Sequence, residues 1–143
     1  MTVSLRKAGE ADVKQIFGWI NEPSTREQSF SQKPVSLEEH VAYWNSRLKD
    51  GKNHSFIIHS GKEQVGLLRM DKRDGAYEVS ILISEGHRGK GLATEALKAA
   101  IGMCKELGIR KLIAKVKPSN GASMKLFEDC GFQPAHVLFE RGA

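Results

Sequence analysis

The sequence predicts an α/β domain, a mixed β-sheet with helices on both faces. Three observations carry that expectation. Runs with strand character alternate along the chain with runs at helical spacing. The strand runs in the middle are joined by short glycine turns, which is hairpin chemistry. The second half then reads strand, helix, strand, helix, strand, an order that builds helix-covered, partly parallel sheets. At 143 residues, with 40% hydrophobic and 27% charged side chains, the composition suits one globular domain spanning 1–143.

The elements follow in order. Thr2 to Arg6 alternates apolar and polar side chains, as a half-buried strand does. Val13, Ile16, Phe17 and Ile20 lie at helical spacing, and that helix stops at Asn21-Glu22-Pro23 because the residue before a proline avoids the helical region. Ser24 to Pro34 is polar and aperiodic and reads as a loop. Ser36-Leu37-Glu38-Glu39 is a capping box, and the helix behind it sets Leu37, Val41, Trp44 and Leu48 on one stripe. After a turn at Asp50–Asn53, two strands, Ser55–His59 and Gln64–Asp71, are joined through Ser60-Gly61-Lys62. Arg73-Asp74-Gly75 turns into a third, ending at Ile83. Ala93, Ala96, Leu97, Ala100, Ile101, Cys104 and Leu107 form one apolar face of a long helix, with Gly108 as its C-cap. A strand at Lys111–Lys117, a helix at Asn120–Cys130 and a last strand at about Ala135–Glu140 complete the chain.

Composition excludes several function classes. No run is long and apolar enough to span a membrane, and Met1 to Arg6 has no apolar signal core, so a cytoplasmic protein with no membrane partner is expected. Cys104 and Cys130 stand far apart without metal-ligand spacing and read as free thiols; no metal is expected. The net charge of +5 raises a nucleic-acid reading. The basic residues are scattered among Glu38, Glu39, Glu63, Asp71 and Asp74, however, and no tract alternates them with aromatics. A nucleic-acid partner is not expected.

The most informative segment is Arg88-Gly89-Lys90-Gly91-Leu92-Ala93, between the Tyr77–Ile83 strand and the long helix. A glycine turn opening a helix leaves backbone N–H groups pointing one way at the positive end of the helix dipole, where phosphate oxygens bind. The Walker pattern cannot be aligned here. The dinucleotide fingerprint would need glycine at Thr94 and an acidic residue within Leu112–Lys115. Arg-x-x-Gly-x-Ala instead resembles the pyrophosphate loop of the Gcn5-related N-acetyltransferases (GNAT). Downstream, Asn120-Gly121-Ala122-Ser123 followed by Gly131-Phe132 resembles the family's second motif at the expected distance.

The resemblance covers nearly the whole chain. It implies the GNAT fold: a central, mostly antiparallel sheet with one splayed parallel strand pair and acetyl-CoA in the cleft between those two strands. Phosphate charge on the cofactor then gives the basic surface a purpose. Main chain near Ile81, Leu82 and Ile83 would pair with the pantetheine arm, and the amides of Arg88, Gly89, Lys90, Gly91, Leu92 and Ala93 would take the pyrophosphate. Asn120 and Ser123 would lie along the cofactor, and Asn120 also reads as a helix cap. Direct attack on the thioester needs a neutral amine, so a general base is useful. Glu78 stands where relatives carry a glutamate, with an exposed strand carboxylate as the competing reading. Relatives place a tyrosine four residues after the Ser123 position as the acid for the leaving thiolate. Here that position is Phe127, which leaves Ser123, Tyr77 or water as the donor, a thiolate that departs unprotonated, or a module that binds CoA without catalysis.

The acceptor would be a small-molecule amine set by Asn21 to Leu48. Arg26, Ser29, His40 and Trp44 resemble positions in enzymes that N-acetylate nucleotide-linked amino sugars, with Arg26 facing a diphosphate. Protein N-termini and simple amines are the alternatives. The family usually ends in two strands after Gly-Phe, so the far sheet edge here is either short or completed by a second copy in a homodimer.

Overall fold

The computed structural model describes residues 2–28 and 33–142. Its elements are β1 (Val3–Lys7), α1 (Val13–Ile20) behind a 3₁₀ turn at Glu10–Asp12, α2 (Pro23–Gln28), α3 (Leu37–Asp50), β2 (His54–Ser60), β3 (Glu63–Arg73), β4 (Ala76–Ile83), α4 (Leu92–Leu107), β5 (Leu112–Ile113) and α5 (Gly121–Asp129). The five strands form one sheet in the order β1-β2-β3-β4-β5. The first three pairings are antiparallel and the last is parallel, as the alternation predicts.

Strand alternation sorts the core onto two faces. Phe56, Ile58, Leu68, Met70 and Val79 pack against Leu92, Ala96, Leu97 and Ala100 of α4 and Phe127 of α5. Ile57 and Leu67 face the other way, against Val13, Ile16, Trp19 and Trp44. Ile57, Ile58, Leu68, Met70 and Leu97 are fully buried, each contributing about 1.5–3 kcal/mol of transfer free energy.

Three expectations are corrected. Pro23–Gln28 is a short helix, not loop; Pro23 supplies the fixed φ that suits a first helical turn, and the segment's polarity hid it from any apolar period. The tail strand at Ala135–Glu140 is absent: residues 133–142 carry no regular structure, and Val137, Leu138 and Phe139 are exposed. A strand without a neighbour to accept its N–H groups has no ladder to hold it. On α3 the buried stripe is His40, Trp44 and Arg47, whereas Leu37 and Val41 are exposed. Polar residues hold the inner face because partners await them. His40 Nε2–H donates to the Val13 carbonyl at 2.7 Å. Arg47 donates to Ser55 Oγ at 2.6 Å and to the His54 carbonyl at 2.9 Å, and lies 2.5 Å from Asp71 Oδ1. Leu37 and Val41 instead line an outer groove with Val13 and Phe17, between α1 and α3 and beside the turn at Glu10.

Candidate active site

The parallel pairing of β4 with β5 stops after Tyr77 with Leu112 and Glu78 with Ile113. Lys111–Lys117, expected as one long strand, is therefore paired over Leu112–Ile113 only, and a cleft opens where β4 runs on alone to Ile83. Tyr77 N–H points across to the Lys111 carbonyl at 2.9 Å. By the two-residue alternation of a strand, the main-chain groups of Val79, Ile81 and Ile83 point into the same cleft. An extended ligand arm could add there as an extra strand. Leu82 is the exception among the expected trio. Its carbonyl points at β3, where a Cβ on Gly66 would meet it at 2.1 Å, and its side chain packs toward α1 and α3.

Past β4, the chain turns through a 3₁₀ turn at Glu85–His87 into the glycine loop. Gly89 and Gly91 have φ of +78° and +76°, a region that side chains with a Cβ rarely enter, and a Cβ on either would meet nothing within 4 Å. The space above the loop is open. Gly91 is the N-cap of α4 without a side-chain cap, so the first N–H groups of the helix, at Leu92 and Ala93, face that space. The loop and the dipole of α4 together fit a diphosphate. His87 is held by Ser84 Oγ at 2.7 Å and Glu63 Oε2 at 2.8 Å, which shapes the approach to the loop.

Glu78 sits at the apex of the cleft, the last residue of the parallel pairing. Its Oε1 lies 3.1 Å from Arg73 Nε and 3.7 Å from Lys115 Nζ, and its side chain is 14% exposed. Both ion pairs fall on one oxygen, Oε1. The Asp74-Gly75 hairpin places Asp71 opposite Glu78 and Arg69 opposite Ser80 on one sheet face. Arg73 reaches back to Asp71 at 3.6 Å, and Arg69 donates to the Tyr43 hydroxyl at 3.1 Å. Carboxylates and cations thus alternate across the sheet beside α3. Arg69, Arg73, Lys115 and Tyr43 escaped the sequence reading. The two-residue hairpin at Asp74-Gly75 was the available signal, since it fixes which residues lie opposite one another.

The other expected site residues divide. Asn120 caps α5: its Oδ1 accepts from Ser123 N–H at 3.2 Å. Phe127 is buried, stacked edge-on against Phe132 at 5.1 Å. The Tyr77 hydroxyl donates to the Lys52 carbonyl at 3.2 Å, away from the open part of the cleft. His40 and Trp44 are 2% and 3% exposed, so both are core residues in this structure and offer no surface to an acceptor. Arg26 turns inward, donating to the carbonyls of Ile20 at 2.6 Å and Lys33 at 3.2 Å. Burial holds its pKa below the usual arginine value. Ser29 lies outside the described residues. Cys104 packs against the α4 core with Sγ 3.3 Å from the Ala100 carbonyl, and burial pushes its thiol pKa up, which makes it unreactive. Among the described residues no cluster of His, Cys, Asp or Glu could hold a metal ion, and no helix is long and apolar enough to cross a membrane.

A splayed parallel pair with a glycine turn at its mouth and a carboxylate at its apex is a cleft whose shape fits an acyl donor that carries a diphosphate. The family model for the acetyltransferase (GNAT) domain matches residues 2–133. The chain belongs to that family and is an N-acetyltransferase that uses acetyl-CoA. It is similar to the L-methionine sulfoximine/L-methionine sulfone acetyltransferase of Pseudomonas paraeruginosa, 27% identical over 140 residues, covering 93% of this chain and 81% of that protein. It is also similar to the spermidine N(1)-acetyltransferase of Vibrio cholerae, 23% identical over 144 residues, covering 96% and 83%. The crystal structure of the Vibrio cholerae spermidine N-acetyltransferase with CoA and spermine superposes with a TM-score of 0.86 at 23% identity, over 96% of this chain and 85% of that one. That likeness shows the fold.

Proposed function

We propose that the chain transfers acetyl from acetyl-CoA to the primary amine of a small acceptor that also carries an anionic group, a free amino acid or close analogue. One observation carries the acceptor class: the apex carboxylate, Glu78, is paired with two cations, Arg73 and Lys115, while the acid opposite it, Asp71, is already taken up by Arg47 and Arg73. A polyamine would meet several cations there. An amino acid can place its ammonium on Glu78 and its carboxylate on a guanidinium, a charge-assisted and bidentate arrangement. The similarity to an enzyme named for methionine sulfoximine and methionine sulfone supports this class. The nucleotide-linked amino sugar loses its support, because Arg26 is engaged by carbonyls and His40 and Trp44 are buried.

The chain's own groups divide the work as follows. Main-chain groups of Ile81 and Ile83 align the pantetheine arm, and the amides from Gly89 to Ala93 hold the pyrophosphate. Glu78 Oε2 takes the proton of the acceptor ammonium, which frees the nitrogen lone pair to attack the thioester carbonyl. The N–H of Val79 or Ile81, the first beyond the paired part of β4, donates to the carbonyl oxygen as it gains charge. As the new C–N bond forms, the nitrogen sheds its second proton to solvent, the C–S bond breaks and the sulfur leaves with its electron pair. Ser123 or solvent gives the thiolate a proton, since Phe127 has none to give.

Thiol release from acetyl-CoA, measured with L-methionine sulfone, spermidine and a nucleotide-linked 4-amino sugar, tests this reading. The amino-acid analogue should give the highest kcat/KM. A tenfold preference for spermidine or the sugar nucleotide contradicts the acceptor class. Tight CoA binding with no release on any amine or peptide N-terminus makes the chain a binding module.

A further inference from the structure

Arg88 opens the phosphate loop, yet its side chain points away from the open space above the glycines. Its Nε donates to the Ile83 carbonyl at 2.9 Å, one terminal nitrogen donates to Ser24 Oγ, and the other donates to Thr25 Oγ1 at 3.0 Å. The Glu22 carboxylate lies 4.0 Å away. The same helix start is bound a second time from the turn before the loop. Ser24 Oγ–H donates to Glu85 Oε1 at 2.6 Å, and Glu85 N–H donates to Glu22 Oε1 at 3.3 Å. At the other end of α2, Lys117 Nζ donates to the Glu27 carbonyl at 3.3 Å. The short helix therefore joins the glycine loop to the segment that follows β5 on the far side of the cleft.

We infer that the Arg88 side chain is a positioning residue that ties α2 to the phosphate loop, so that a ligand in the loop also orders α2. This rests on the reading that the loop takes the cofactor pyrophosphate. Only the backbone of Arg88 belongs to the anion cradle. The guanidinium, satisfied by a carbonyl and two hydroxyls and facing a carboxylate, is oriented toward α2 and not toward a phosphate. Its planar fork matters: Nε and both terminal nitrogens are used at once, and a lysine supplies the charge without that geometry.

Hydrogen–deuterium exchange with coenzyme A as the probe separates the alternatives. In the wild type, saturating coenzyme A should slow exchange both in the loop at 88–93 and in α2 at 24–28. In Arg88→Ala the loop should remain protected, with the Kd for coenzyme A changed less than about threefold, while the protection of α2 is lost. Arg88→Lys should not restore it. The double variant Ser24→Ala/Thr25→Val, which keeps Arg88, should lose the same protection and covers the case in which the Arg88 variants do not fold. A tenfold rise in Kd in Arg88→Ala that lysine rescues makes the side chain a phosphate ligand and overturns the inference. So does α2 protection that persists in Arg88→Ala or never arises in the wild type. Wild-type protein that binds no coenzyme A refutes the cofactor reading itself, and this coupling with it.

Discussion

Among single residues, Glu78 carries the heaviest load in the proposed chemistry. It occupies the last paired position of the splayed strands and is held on one oxygen by Arg73 and Lys115. Glu78→Gln keeps the shape and removes the proton acceptor. It should lower kcat by roughly 10²-fold at neutral pH, the scale of a general base, with little change in acetyl-CoA affinity; steady-state kinetics over a pH series checks it. Asp12 has a stability role. Its carboxylate accepts two hydrogen bonds from Arg6 at 2.9 and 3.0 Å and one from Gly9 N–H at 2.8 Å. The Arg6 bonds, chiefly, hold its pKa below the ordinary carboxylate value. The folded state then binds this proton less readily than the unfolded state. The stabilisation is full above the ordinary carboxylate range and disappears as pH falls through and below it. Asp12→Asn should cost about 1.5 kcal/mol at neutral pH, the low end for a hydrogen bond to a charged group because Arg6 is partly solvated. Urea unfolding at neutral and acid pH should show the variant losing less stability on acidification than the wild type. Glu78 was singled out from its place ahead of the loop motif. Its charged neighbours were not, because Lys115 comes from the segment after β5, distant in sequence, and Arg73 from beyond a hairpin.

Among the elements, β4 couples fold to function, and Gly66 on β3 guards it. A Cβ there would stand 2.1 Å from the Leu82 carbonyl, a main-chain atom with no rotamer to escape into. Gly66→Ala should push β3 and β4 apart and cost about 3 kcal/mol or more, at or beyond the upper range for overpacking. Chemical denaturation checks this, and an unchanged midpoint contradicts the tight approach of the two strands. The long helix, the hairpins and the glycine turn were readable because each announces itself locally, through caps, Asp-Gly or an apolar period. Helix α2 was not, since Pro23-Ser24-Thr25-Arg26-Glu27-Gln28 has no apolar face to show. The inner face of α3 was misread for a different reason. His40 and Arg47 are buried only because Val13, Ser55, His54 and Asp71 satisfy them across the fold. No local rule on α3 announces those partners.

Across the whole molecule, the order of elements and two spaced motifs were enough to place the fold, while the acceptor was not legible. Cofactor recognition as proposed uses backbone amides and glycines, whose requirements are strict and local, so they leave a signature in the sequence. Acceptor recognition is built from side chains gathered by sheet register, and the enzymes similar to this chain are named for chemically different amines. The net charge of +5 is likewise a property of the whole surface that suits a polyphosphate donor without identifying the acceptor.

The central claim is that the glycine turn at the mouth of the splayed strands receives the pyrophosphate of acetyl-CoA. Calorimetric titration of acetyl-CoA into the wild type and into Gly91→Asp tests it most directly. Aspartate would strain a residue at φ +76° and set a negative charge in the space where the phosphates bind. The account predicts one molecule bound per wild-type chain and no measurable binding to a variant that still unfolds cooperatively. Equal affinity in the two proteins would contradict it.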